Sequence, residues 1–231
     1  KLGTAMLAAS IPGAVARKVP KSEFNTNPDA KAAMDAEWHK LRYHKRPNSK
    51  KKGVWDETGV RVASEVRDEA RRNKDKMHFG RVVELCMEKG SELPKGNPQR
   101  KFKGRAVFLG DNVKDQNWDV AMFQELGSCP ATMRASKAAD AVGALPGNNV
   151  EQADAEQAYV QAPVTFPVKT WVLLPKSQWP KELEGMHRPV VPLLKVMYGH
   201  LDSGTYWETH CDNHCRSIGF VPVPGWRARC S

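Results

Sequence analysis

The residues with the most chemical potential are two carboxylates, Asp154 and Glu156, set two positions apart. On a strand that spacing puts both on one side, where a pair of acids can hold Mg²⁺ or act as acid and base. The alternative is an exposed strand edge with no chemistry. A second pattern is cationic: Lys101, Lys103 and Arg105 alternate with Phe102, Gly104 and Ala106. A strand would present the three cations together on one face. A third is the run 39–52, which holds Lys40, Arg42, Lys45, Arg46, Lys50, Lys51 and Lys52 without an acid. It reads as a solvated loop, a phosphate-contacting loop or a targeting signal, because Pro47, Asn48 and Ser49 break any helix there. His210, Cys211, His214 and Cys215 have ligand chemistry, but four adjacent helix positions do not easily wrap a tetrahedral zinc ion. No P-loop, dinucleotide-binding glycine pattern, nucleophile elbow or zinc-protease motif is present.

These residues must be positioned by local elements. Asn27, Pro28 and Asp29 form a helix start, and Met34, Trp38 and Leu41 then make one apolar stripe. The basic loop follows, then a short apolar element at Gly53, Val54 and Trp55. Residues 60–74 predict a charged helix with Val62, Val66 and Ala70 on one face. Residues 77–88 and 101–110 predict two strands joined by the Pro94–Pro98 turn, an antiparallel hairpin. A helix is predicted over 130–142, and strands over 150–161, 170–174 and 190–198. A last helix over 204–216 is capped by Ser203 and ended by Gly219. This order predicts α+β with an antiparallel sheet rather than alternating βαβ units.

The 231 residues suit one large domain or two small ones, and 40% hydrophobic content supports a core. No apolar run reaches the roughly 18 residues of a membrane span, so no membrane partner is expected. Five cysteines without a pattern fit a reducing compartment, cytoplasmic or nuclear rather than secreted. The stretch 5–16 is faintly like a signal segment, but Pro12 and Gly13 interrupt it and it reads as ordinary polypeptide. The first residue is Lys1, which reads as a fragment or a processed piece. The net charge of +10 is uneven: residues 1–105 hold 25 basic and 13 acidic residues, residues 106–231 hold 11 and 13. A basic first half implies a polyanionic partner.

Four stretches, in order, resemble the reverse transcriptase domain of copia-type LTR retrotransposon Pol polyproteins. They are Ala33-Met34-Asp35-Ala36-Glu37-Trp38 with Gly53-Val54-Trp55; residues 101–110; residues 152–160; and residues 190–207, with Met197-Tyr198-Gly199 and Trp207. Gly219-Phe220 fits the family pattern after the last helix. The resemblance spans roughly 30–220 and only the first part of the family domain.

It implies a right-hand polymerase fragment with an antiparallel fingers hairpin and an incomplete palm sheet. Residues 1–27 would be a lead-in arm, 28–149 the fingers-like region with its basic loop at 39–52, and 150–231 a partial palm. The activity implied is RNA-directed DNA polymerisation by two-metal nucleotidyl transfer. Asp154 would be the first catalytic carboxylate and a Mg²⁺ ligand, with the Ala155 carbonyl completing the shell. Lys101, Lys103 and Arg105 would grip the incoming nucleotide. Tyr159 would be the gate against a 2′-hydroxyl, and Tyr198 and Gly199 would lie beside the nascent base pair. Lys45, Arg46, Lys50, Lys51 and Lys52 are candidate nucleic-acid contacts. Implied partners are an RNA or DNA template-primer, a deoxynucleoside triphosphate and the rest of the Pol polyprotein.

The family's Tyr-X-Asp-Asp turn, with two further catalytic Asp, is absent from these residues. The Lys and Pro that usually follow Tyr-Gly are also missing, and Asp202 stands nearby instead. This chain alone is therefore expected not to polymerise. The alternatives are a non-catalytic nucleic-acid-binding protein derived from a retroelement and an unrelated α+β domain with chance similarities.

Overall fold

The computed structural model describes residues 15–43, 53–123, 132–151, 154–162 and 168–223. Among them the chain is mixed α+β, with six strands of one sheet and six α-helices. It divides into two compact units, residues 1–40 with 84–106, and residues 41–83 with 107–231. The long strands β3 (Met77–Lys89) and β4 (Lys101–Phe108) run through both. No helix of the described residues is long and apolar enough to cross a membrane.

In the first unit, residues read as a lead-in arm form β1 (Ala16–Val19) and the one-turn α1 (Lys21–Phe24). β1 pairs antiparallel with β3, Val19 opposite Cys86. Among the described residues of this arm the buried apolar anchors are Val19 and Phe24, too few to show a period, so its pairing is not visible in sequence. α2 (Pro28–Tyr43) starts where Asn27 Oδ1 accepts the backbone N–H groups of Asp29 (3.0 Å) and Ala30 (3.2 Å). Ala30, Met34, Trp38 and Leu41 are buried along one side, as the stripe predicts. Gly104 of β4 lets strand and helix approach closely: a Cβ there would lie 2.6 Å from the Ala33 carbonyl oxygen.

The buried face of β3 carries two acids, Glu84 and Glu88. Burying a carboxylate is costly unless it is paired. The Trp38 indole N–H donates to Glu84 at 3.0 Å. Glu88 lies between Arg17 (3.1 Å) and Arg100 (2.8 Å), and Arg17 also donates to Glu23 at 2.7 Å. Arg17 holds the Glu88 carboxyl below the usual carboxylate range, against its burial and with help from Arg100. A depressed carboxyl stabilises the fold fully above its unfolded pKa of about 4.3 and loses that contribution as pH falls through the folded value. Urea midpoints should therefore fall steeply below about pH 4.3. Glu88→Gln should flatten that slope, and parallel pH profiles for the two proteins would refute the assignment.

In the second unit, α3 (Ala63–Asn73) buries Ala63, Val66 and Ala70. Val62 belongs instead to β2 (Arg61–Val62). The buried face meets Met77, Phe79, Trp171 and Val190 in one cluster. β5 (Lys169–Leu173) pairs with β3 in parallel, Phe79 opposite Trp171, and antiparallel with β6 (Pro189–Pro192). β6 also pairs antiparallel with β2. The expectation of an antiparallel sheet is thus corrected to a mixed one. The chain between Lys89 and Lys169 is far longer than a parallel crossover requires. The strand expected at 190–198 stops at Pro192, because prolines bound it and limit its ladder.

α4 (Met133–Gly143) forms where a helix was predicted, capped by Thr132. The strand predicted over 150–161 is absent among its described residues: they form an exposed segment and the one-turn helix α5 (Ala158–Gln161). That stretch is mostly Ala, Glu, Gln and Asp, which are poor strand formers. α6 (Ser203–Ser217) starts after Asp202, whose side chain makes no capping hydrogen bond, and the expected cap Ser203 instead donates its hydroxyl to the His200 carbonyl at 2.7 Å.

Candidate nucleic-acid interface

On β4, burial alternates as the sequence requires. Gly104, Ala106 and Phe108 point inward, Lys101 and Lys103 are exposed, and Arg105 is half-buried. Lys101, Lys103 and Arg105 therefore share the outer face. β-strand geometry spaces alternate side chains about 7 Å apart, close to the repeat of successive phosphates on an extended strand. Beneath this row lies Glu37 of α2, buried, with an oxygen 3.8 Å from Arg105. Burial pushes the Glu37 carboxyl up, while Arg105, Lys40, the Ala106 N–H and Lys103 pull it back. The acid anchors one end of the cationic row and tempers its charge. Glu37 was legible as an acid inside the Met34–Trp38 apolar stripe, where a charged side chain needs a partner.

A second group of candidates meets in the other unit. The Phe108 N–H donates to the Tyr198 carbonyl at 2.8 Å. The rings of Tyr198 and Tyr159 contact edge to face at 4.9 Å. Gly199 adopts φ +88°, and a Cβ there would lie 2.0 Å from the Phe108 carbonyl oxygen. Tyr159, Tyr198 and Gly199 are thus brought together at the end of β4. Beside them His200 is buried, its ring 5.1 Å from Phe108 and 5.9 Å from Phe123. Burial and neighbouring His78 push His200 down to about 4, so it is neutral at physiological pH, and its Nδ1 accepts the Asp202 N–H at 3.2 Å. Asp202 is buried at the N-terminus of α6, and burial pushes its carboxyl up.

Asp154 and Ala155 lie exposed in the irregular segment before α5. The strand that would have aligned Asp154 with Glu156 is not there. Among the described residues no group of three or more His, Cys, Asp or Glu side chains converges to hold a metal ion. That includes His210, Cys211, His214 and Cys215 on α6, where burial and Cys215 push the Cys211 thiol up, away from the thiolate a metal needs. The described residues therefore do not form a site for a two-metal Mg²⁺ centre. Lys45, Arg46, Lys50, Lys51 and Lys52 lie outside the described residues. The neighbouring Arg42 is engaged, donating to Glu57 at 2.8 Å and to the Gln178 carbonyl at 2.5 Å.

Comparison with protein families, with curated proteins and with solved structures finds no match to this chain.

Proposed function

We propose that this chain is a nucleic-acid- and nucleotide-handling segment of a reverse transcriptase, an RNA-directed DNA polymerase of the copia-type retrotransposon Pol polyprotein. The observation that carries the reading is the outer face of β4, where Lys101, Lys103 and Arg105 stand in a row. Arg105 supplies the planar fork suited to phosphate oxygens, and the two lysines supply point charges. The ordered sequence stretches and the meeting of Tyr159, Tyr198 and Gly199 support it further. Asp154 stands in an exposed segment without converging carboxylates among the described residues. That same observation favours the second reading, a retroelement-derived protein that binds nucleic acid without catalysis.

Both readings require polyanion binding at β4. A labelled single-stranded oligonucleotide titrated by fluorescence anisotropy at several salt concentrations tests it. The triple variant Lys101→Gln, Lys103→Gln, Arg105→Gln should bind far more weakly. Its salt slope should fall by about 2, at ~0.7 for each phosphate no longer neutralised. Glu37→Gln should bind more tightly than the parent chain, since it leaves the row more positive. Unchanged affinity and slope in the triple variant would overturn the proposal.

A further inference from the structure

The second unit contains a half-open cleft of about 250 Å³, near the lower end of ligand-pocket size at ~300 Å³. Its floor is apolar, formed with Phe79, Leu173 and Val190 over the α3–β3–β5 cluster. Its polar wall is cationic: Arg81, Lys114 and Arg188 line it, and no carboxylate does. None of the three forms an ion pair among the described residues. Arg81 and Arg188 are exposed and Lys114 is half-buried, so three cations stand at the solvent edge of the apolar floor, where their field attracts an anion.

Trp118 organises this wall. The guanidinium of Arg188 lies 4.9 Å from its ring centre and that of Arg67 lies 4.7 Å away. A guanidinium held over an indole by cation–π attraction can still offer N–H groups for bidentate contacts. The Arg67 Nε is buried without a hydrogen-bond partner among the described residues. The backbone is held in place as well. Asp115 Oδ1 accepts the N–H groups of Asn117 (2.8 Å) and Asp119 (3.0 Å), and Lys114 exchanges backbone bonds with Phe79 at 2.7 and 2.9 Å. The Arg188 carbonyl accepts the Ala63 N–H at 3.2 Å. Trp118 at φ +76° and Arg188 at φ +50° both occupy the left-handed region, which large non-glycine residues seldom adopt. Such residues concentrate at ligand sites, where the surroundings fix the side chain's direction.

We propose that the Trp118 cleft binds one nucleotide unit, its phosphate held by Arg188, Arg81 and Lys114 and its non-polar part against Phe79, Leu173 and Val190. The proposal deepens the nucleic-acid reading above, yet shares no residue with the β4 row. The nucleotide can come from a single strand or from a free nucleoside triphosphate, since the recognising chemistry is the same.

The test uses the full chain with two probes, a labelled single-stranded decanucleotide and a fluorescent deoxynucleoside triphosphate without metal. Arg188→Asn with Lys114→Gln removes the charges while Asn tolerates the left-handed backbone. Binding of at least one probe should weaken roughly tenfold for each charge-assisted hydrogen bond removed. Weakening confined to the strand identifies a strand phosphate, and weakening of the free triphosphate identifies a nucleotide site. Arg81→Gln, on the exposed side of β3, serves as the second variant should the double variant lose its circular dichroism spectrum. Unchanged binding of both probes in both cleft variants, with strand binding lost in the β4 triple variant, overturns the cleft and leaves the β4 reading standing. Strand binding that survives the β4 variant but needs the cleft does the reverse. Failure of the parent chain to bind either probe overturns both.

Discussion

Trp38→Ala is expected to remove about 4 kcal/mol of folding stability, within the ~3–5 kcal/mol typical of truncating a buried aromatic. The indole is 2% exposed and sits on the α2 stripe between Met34 and Leu41. Its removal leaves a cavity that the helix cannot close without moving away from Gly104, whose missing side chain already sets the approach at its limit. The substitution also deletes the 3.0 Å bond to Glu84, a carboxylate buried on β3. Bonds to charged groups contribute ~1.5–3 kcal/mol, although the two effects do not simply add. Trp38→Phe separates them, keeping most of the volume and removing the N–H. It should cost roughly half as much. Urea denaturation of the three proteins measures both effects. A shift below ~1 kcal/mol for the alanine variant, the range of ordinary substitutions, would show that Trp38 does not anchor this unit.

Gly199→Ala is expected to cost about 3 kcal/mol, combining ~1 kcal/mol for a disfavoured backbone conformation with 1–3 kcal/mol of overpacking. The residue has φ +88°, and the added Cβ would lie 2.0 Å from the Phe108 carbonyl oxygen and 2.8 Å from Val107 Cγ1. The nearer obstacle is backbone and cannot rotate aside. Relief requires that the 198–199 segment move off β4, breaking the Phe108–Tyr198 bond and shifting the Tyr198 ring against Tyr159. Gly96→Ala is the matched control: it has φ +87° with nothing within 4 Å of the added Cβ. The stability difference between the two variants isolates the steric part. Equal destabilisation would mean that the crowding at Phe108 relaxes freely.

Where a periodic pattern carried the signal, the sequence was a sound guide. Met34, Trp38 and Leu41 are buried along α2, and β3 and β4 begin at Met77 and Lys101 as read. The alternation that sets Lys101, Lys103 and Arg105 outward follows from strand geometry alone. The failures share a cause. The strand expected at 150–161 rested on spacing without the β-branched or aromatic residues that favour an extended chain. Val62 was assigned to the helix because its spacing fits Val66 and Ala70, but it pairs with β6 as part of β2. The Trp118 cleft escaped because its lining comes from five separate stretches, and its Trp and three cations show no common period.

By itself the sequence determined the basic bias of the first half, the amphipathic face of α2, the hairpin and the row of cations on one side of it. These depend on neighbours two to four residues apart, whose relative directions the backbone dictates. Only the tertiary structure decided which buried charges have partners, for these lie 46 residues apart for Trp38 and Glu84 and 71 for Arg17 and Glu88. It also decided the parallel pairing of β3 with β5, the exposure of Asp154, and the meeting of Tyr159 with Tyr198. Burial and pairing of a side chain depend on what the fold brings opposite it, and local periodicity contains no record of that partner.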